Sequence, residues 1–154
     1  MELPQTTEWA LHCCWLLAHS DGTPVARRRL AEFFVLPEPY LAKMLKSLVN
    51  GGVLGSVPGV FGGYHLARPA ADISVLDVVQ SISGRQDMFR CAEIRQRGPM
   101  ARTAAQCRRP CGIAAVMHQA DTAWRATLAA ITIADLIADT AKASADRIAV
   151  WLAQ

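Results

Sequence analysis

The stretch from Gly51 to Ala67 constrains the fold most. A glycine pair is followed by two short apolar runs, Val53-Leu54-Gly55-Ser56-Val57 and Tyr64-His65-Leu66-Ala67, which flank Pro58-Gly59-Val60-Phe61-Gly62-Gly63. Short runs of this kind around a glycine-rich turn form a β-hairpin, because glycine enters the positive-φ conformations that tight turns need. A lone hairpin is marginal in water, so it must pack on what precedes it.

Three helical patterns precede it. Thr7 to about Ser20 places Trp9, Ala10, Cys13, Leu16 and Leu17 at spacings of three and four. Asp21-Gly22-Thr23-Pro24 stops that helix, and Thr23 with Pro24 predicts the cap and first position of a second, Val25 to Phe34. A third runs from Glu38 to Asn50, turns Tyr40, Leu41, Met44, Leu45 and Leu48 inward, and ends at Gly51-Gly52. Helix, helix, turn, helix, hairpin is a winged helix-turn-helix, so the expected class is mainly α with a small β-hairpin.

Beyond the hairpin, Ile73 to Ile82 predicts a brief helix capped by Ser74, with Leu76, Val79 and Ile82 buried. Gly84 to Gly112 then lacks any apolar period, and a loop of roughly 25 residues is uncommon unless a function orders it. Ile113 to about Asp139 reads as one alanine-rich helix, about 40 Å long, with Val116, Ala120, Trp124, Leu128 and Ile131 on its apolar side. So long a helix needs a partner, the simplest being its copy in a second chain. A last short helix spans Ala145 to Trp151. The expected organisation is residues 1–70 for the winged helix-turn-helix, 71–112 for the short helix and loop, and 113–154 for a dimerisation helix and terminal helix.

Composition excludes several classes. A chain of 154 residues holds one domain or one domain with a helical arm, and 52% apolar against 19% charged residues is enough for a core. No uncharged run approaches the roughly 18–20 residues of a membrane span, and Met1 to Thr7 lacks a basic region followed by an apolar block. A cytoplasmic protein without membrane contact is the expectation. A net charge of +3 does not by itself point to nucleic acid. Its distribution is more informative: Gly84 to Gly112 holds seven arginines against Asp87 and Glu93, and three of the five cysteines. An odd cysteine count without an export signal favours metal or redox chemistry over a disulfide framework.

On a winged helix, the third helix would enter the major groove with Glu38, Lys43, Lys46 and Ser47, and Tyr40 would add its hydroxyl unless its ring packs under the helix. Arg27, Arg28 and Arg29 would face phosphates, although a solvated basic face explains them equally well. The turn at Gly62 and Gly63 has the size of a minor-groove contact but carries no Arg or Lys, so backbone amides and shape would act there, with Arg68 just beyond.

The run Tyr40-Leu41-Ala42-Lys43-Met44-Leu45, then Gly59-x-x-Gly62-Gly63-Tyr64-x-Leu66-Ala67-Arg68-Pro69, then Ile73-Ser74-Val75-x-Asp77-Val78-Val79-x-x-Ile82-x-Gly84, resembles the Rrf2 family of bacterial regulators, from Glu8 to about Asp139. The resemblance implies a homodimeric iron-sulfur transcription factor, usually a repressor, on palindromic double-stranded DNA. It implies no enzyme and no small-molecule substrate.

Candidate cluster ligands follow. Cys91, Cys107 and Cys111 are spaced unlike a zinc finger, and also unlike the compact three-cysteine cluster of other branches of the family. Glu8 and His12, four apart on the first helix, share one face and could chelate one metal, while spacing alone is explained as well by a carboxylate–imidazole hydrogen bond or a capping acid. Glu8-Trp9-Ala10-Leu11-His12-Cys13-Cys14 with Cys91-x-Glu93-Ile94-Arg95-Gln96-Arg97-Gly98-Pro99 looks like the RsrR branch. That likeness implies a 2Fe–2S cluster held by Cys91 and Cys111 of one subunit and by Glu8 and His12 of the other, with Cys107 as alternative ligand. Cys13 and Cys14 read as small buried hydrophobes, and Trp9 as a shield for the cluster or a packing residue. His19, His65 and His118 lack a suitably spaced partner and read as surface or packing residues. A clusterless thiol switch through Cys91, Cys107 and Cys111, zinc at the same ligands, and a winged helix that binds only protein are the competing expectations.

Overall fold

A computed structural model describes residues 3–154. They form two compact units, one of residues up to Gly84 together with Leu128–Gln154, the other Arg85–Thr127. The chain runs through α1 (Gln5–Ala18), α2 (Arg27–Phe34), α3 (Glu38–Asn50), β1 (Leu54–Val57), β2 (Gly63–Leu66), α4 (Val75–Ser83), α5 (Gly112–Ala129), α6 (Ile133–Ala138) and α7 (Lys142–Leu152). It is mainly helical, and its sheet is the antiparallel β1–β2 hairpin with Leu54 opposite Leu66 and Val57 opposite Gly63. Among the described residues no helix is long and apolar enough to cross a membrane.

In the larger unit the core is built from the inward stripes of α1 and α3. Leu16, Leu17, Leu41, Leu45 and Leu48 are fully buried, and Leu30 of α2, Leu54 of β1, Val78 of α4 and Ile133 of α6 close around them. Cys13 and Cys14 belong to this core, as expected, and burial pushes the Cys13 thiol up to about 12. Desolvation also raises Cys14, with the neighbouring Cys13 adding to it. Neither is a thiolate nucleophile in the folded chain.

Three boundaries differ from expectation. Thr23 and Pro24 do not open α2. Instead Val25 pairs with Tyr64 through two backbone hydrogen bonds of 2.9 Å, and Ala26, with extended φ and ψ, precedes the first turn. A β-branched residue beside an open hairpin edge is better used in the ladder than in a helix. The glycine pair of the wing permits this approach: a Cβ on Gly63 would collide with the Val25 backbone, and one on Gly62 with the Val57 carbonyl.

The second difference concerns the long helix. The predicted span 113–139 is two helices, because Thr132 leaves helical conformation (φ −101°, ψ 165°) and caps α6. Its hydroxyl accepts the Asp135 N–H at 3.1 Å while the Asp135 carboxylate accepts the Thr132 N–H at 2.8 Å. This is a capping box, which starts a helix and cannot sit inside one. Ser74 and Asp77 make the same box at α4, as predicted from Ser74. That cap sets the register of α4, so Val75, Val78 and Val79 are buried while Leu76 and Ile82 are only half-buried.

Third, the terminal helix is longer than expected, Lys142–Leu152. It is anchored by Ile148 in the core and by Trp151 against Phe33 of α2, with ring centroids 4.8 Å apart at 74°.

Candidate nucleic-acid interface and cysteine loop

The buried stripe of α3 leaves an outer face of Tyr40, Lys43 and Lys46, with Ser47 half-buried beside them. Tyr40 is 65% exposed, so its ring does not pack beneath the helix. The Ser47 hydroxyl donates to the Lys43 carbonyl at 3.3 Å. At the start of the helix Glu38 is paired with Arg27 at 3.3 Å, which ties the first turn of α3 to the first turn of α2.

The three arginines of α2 part company. Arg28 is exposed and bridges to Glu32 one turn on. Arg29 instead turns inward, stacks 3.8 Å above the Trp151 ring and donates to the Trp151 carbonyl. Its contact lies 122 residues away in sequence, so nothing local announces it.

Arg68 is also largely engaged. It donates to the carbonyls of Asp72 (2.7 Å) and Gly52 (3.4 Å) and to the Asp77 carboxylate (3.4 Å). Burial raises the Asp77 pKa, but hydrogen bonds from Ser74 and the charge of Arg68 together outweigh it and hold the carboxyl below its ordinary value. Arg68 thus ties the end of the hairpin to the cap of α4.

On α1, Glu8 and His12 are both exposed. Together with half-buried Trp9 and with Phe34 and Leu36 they line a shallow pocket of about 210 Å³, in which the His12 ring lies 5.6 Å from that of Phe34. His19 is half-buried edge-on to Trp15, and desolvation lowers its pKa. His65 lies against Gly55, and His118 is exposed near Phe89.

Within the smaller unit, the loop is ordered by contacts that its local pattern does not announce. Arg95 organises it. Its guanidinium forks onto the Glu93 carboxylate (2.7 Å for the outer pair) and donates to the carbonyls of Cys107 (3.4 Å) and Arg109 (3.0 Å). The Glu93 hydrogen bond is the main cause that raises the Arg95 pKa, against the opposing effect of burial. Glu93 itself sits in the left-handed region (φ 48°), and its carboxyl is lowered by the Arg95 hydrogen bond. Charged bidentate pairs of this kind fix orientation better than a lysine could.

The three cysteines of the loop differ in access: Cys91 is exposed, Cys111 half-buried and Cys107 only 9% exposed. The Cys111 sulfur accepts the Ala114 N–H at 3.5 Å at the start of α5, where the helix dipole favours negative charge. Among the described residues of one chain, no three His, Cys, Asp or Glu side chains come together to hold a metal ion.

The chain combines a winged helix, basic on the outer face of α3, with a cysteine-bearing loop, and its fold is shared with known regulators. The family model Rrf2, an iron-dependent transcriptional regulator, matches residues 3–139. The chain belongs to the Rrf2 family. Over 138 residues this Rrf2 chain is 30% identical to protein aau3 of Rhizobium meliloti, which covers 89% of the chain and 85% of that protein. Among solved structures, CymR of B. subtilis, described as its global cysteine regulator, superposes with a TM-score of 0.69 at 21% identity, over 92% of this chain and 99% of CymR. T. potens IscR superposes with a TM-score of 0.66 at 26% identity, over 93% and 90%. This Rrf2 protein is therefore a DNA-binding transcriptional regulator of winged-helix fold, in a family of regulators rather than enzymes. The family match ends at residue 139, so α7, which holds Arg29, lies beyond it.

Proposed function

We propose that this Rrf2 regulator is a cytoplasmic homodimeric repressor of the RsrR kind, which reads a palindromic operator and responds to redox state or nitrosative stress. A 2Fe–2S cluster would be held by Cys91 and Cys111 of one subunit and Glu8 and His12 of the other. The supporting observation is the condition of the helix pair: Glu8 and His12 lie one turn apart on α1, both exposed, and line the same pocket. Thiolate, imidazole and carboxylate together suit iron, and the mixed set couples redox change to protons. Cys107, the remaining loop thiol, is the alternative ligand to Cys111. When bound, the cluster supplies one-electron redox chemistry and reactivity toward nitric oxide.

The protein's own part is positional. The outer face of α1 carries the two donors, and its inner face, with Ala10, Cys13 and Leu17, packs in the core that also seats α3. A displacement of α1 is therefore felt at the recognition helix, which shifts the population of DNA-competent dimers. His12 must be neutral to ligate, so the response falls off in acid.

On DNA, Tyr40, Lys43, Lys46 and Ser47 read the major groove with Glu38 orienting the helix, Arg28 contacts a phosphate, and the amides of Gly62 and Gly63 approach the minor groove. Arg68 acts by bracing the base of the wing.

The test is an anaerobic preparation whose visible spectrum, iron and sulfide are compared among the parent, Glu8→Ala, His12→Ala, Cys91→Ala and Cys111→Ala. Colour in the parent, lost or altered in all four variants, is expected. A colourless parent that forms reversible intersubunit disulfides supports the second reading, a thiol switch. Its supporting observation is the placement of the Arg95 guanidinium at the Cys107 carbonyl, in a loop with two further thiols, of which Cys91 is exposed and Cys111 half-buried. Stoichiometric zinc would point to a structural metal instead.

A further inference from the structure

The tip of the wing is apolar where a DNA-contacting turn is ordinarily basic. Val60 and Phe61 are 94% and 96% exposed, the most exposed large hydrophobic side chains among the described residues. The turn that presents them is tightly held. Gly62 N–H donates to the Gly59 carbonyl at 3.0 Å, Gly59 has φ +103°, and no side chain fits at Gly62. The base of the hairpin is pinned by the Val25–Tyr64 bridge and by Arg68. A held turn that projects two adjacent apolar side chains, Val60 and Phe61, presents a contiguous apolar knob of the kind that marks an interaction site.

We propose that Phe61, flanked by Val60, is an apolar wedge that enters the minor groove of bound duplex DNA and partly unstacks one base step. The proposal rests on the reading of the wing as a DNA-contacting element. Duplex DNA is the occupant because the hairpin follows directly from α3, whose outer face carries Tyr40, Lys43 and Lys46, so the tip extends the face assigned to DNA under the proposed function. The turn itself carries no cation; Arg29, which lines the same groove as Val60 and Phe61, is stacked on Trp151, and Arg68 is turned to Gly52, Asp72 and Asp77. Proteins that wedge Phe, Leu or Ile between base steps kink the duplex by roughly 20–90°. The steps that yield most readily are pyrimidine–purine, TA and CA/TG. Specificity beneath the wing then comes from how easily a step opens, with no base-edge hydrogen bond from a side chain.

The test uses duplexes that the full-length protein selects from a random pool, end-labelled for energy transfer and carrying 2-aminopurine at the selected pyrimidine–purine step. The parent is expected to shorten the end-to-end distance and to brighten 2-aminopurine. Phe61→Ala is expected to bind about tenfold more weakly, with bend and brightening lost, while Phe61→Leu retains both. Circular dichroism of the variants checks that the fold is kept, as an exposed tip predicts. A Phe61→Ala complex that bends and brightens as the parent does overturns the wedge and leaves the regulator untouched. A parent that selects no duplex at any salt concentration overturns the DNA reading itself.

Discussion

Ser74 and Thr132 face each other across an antiparallel bridge, and each is at the same time the cap of its own helix. Val75 N–H donates to the Ile131 carbonyl at 2.8 Å and Ile133 N–H to the Ile73 carbonyl at 2.9 Å. Two helix starts thus satisfy each other's flanking backbone as well as their own orphan N–H groups. Through this bridge the segment that follows α5 is joined to the segment that follows the wing.

Removing either cap hydroxyl should therefore weaken the whole larger unit. Ser74→Ala and Thr132→Ala are each expected to cost about 1 kcal/mol, seen as a fall in Tm of roughly 2–4 °C. Because the two residues touch, their effects should not add, and a double-mutant cycle on thermal melts measures the coupling.

Acid should release the same joint. Asp77 and Asp135 both titrate below their ordinary value, Asp135 through the Thr132 backbone and hydroxyl hydrogen bonds. A carboxylate lowered by folding adds stability above its unfolded pKa, near 4, and that stability disappears as pH falls through the folded value. Tm should be flat between about pH 6 and pH 5 and drop below about pH 4. In Asp77→Asn and Asp135→Asn it should start lower at neutral pH and fall less steeply.

The arginines of α2 should separate cleanly. Trp151→Ala strips the stacked partner from Arg29 and a wall from Phe33, and is expected to lower stability by about 2 kcal/mol. Arg28→Ala loses only a surface pair and should change stability by less than about 0.5 kcal/mol. Urea unfolding of both variants checks the contrast.

Native thiol labelling of the metal-free, reduced protein should follow access. Exposed Cys91 is expected to be alkylated first, Cys111 more slowly, and Cys107 slowest in the loop. Cys13, with its thiol raised to about 12, and fully buried Cys14 should react only on unfolding. Peptide mass mapping over time reads the order.

Much of this architecture is legible along the chain because it is local. The α3 boundaries, Glu38 to Asn50, follow from its apolar stripe and the glycines after it, and Ser74 announces α4 by its own chemistry. The break before Ile133 was equally available, since Thr132 and Asp135 repeat the spacing of Ser74 and Asp77, but an uninterrupted apolar period masks it. What stays hidden is long-range. Arg29 finds Trp151, Val25 finds Tyr64, and Arg95 gathers carbonyls 12 and 14 residues downstream, and none of these choices is written in neighbouring residues. For the candidate site, the residue types and the shared face of Glu8 and His12 can be read from spacing, whereas the accessibility ranking of the three loop thiols required the fold.

The most direct test of a centre shared between subunits is a mixed dimer of full-length chains, one carrying Glu8→Ala and His12→Ala, the other Cys91→Ala and Cys111→Ala. If donors come from opposite subunits, the mixed dimer keeps one intact site. It should then show about half the parent's iron, sulfide and visible absorption under anaerobic conditions, while each doubly substituted homodimer shows none. A colourless mixed dimer, or full colour in the Glu8→Ala, His12→Ala homodimer, would contradict the account.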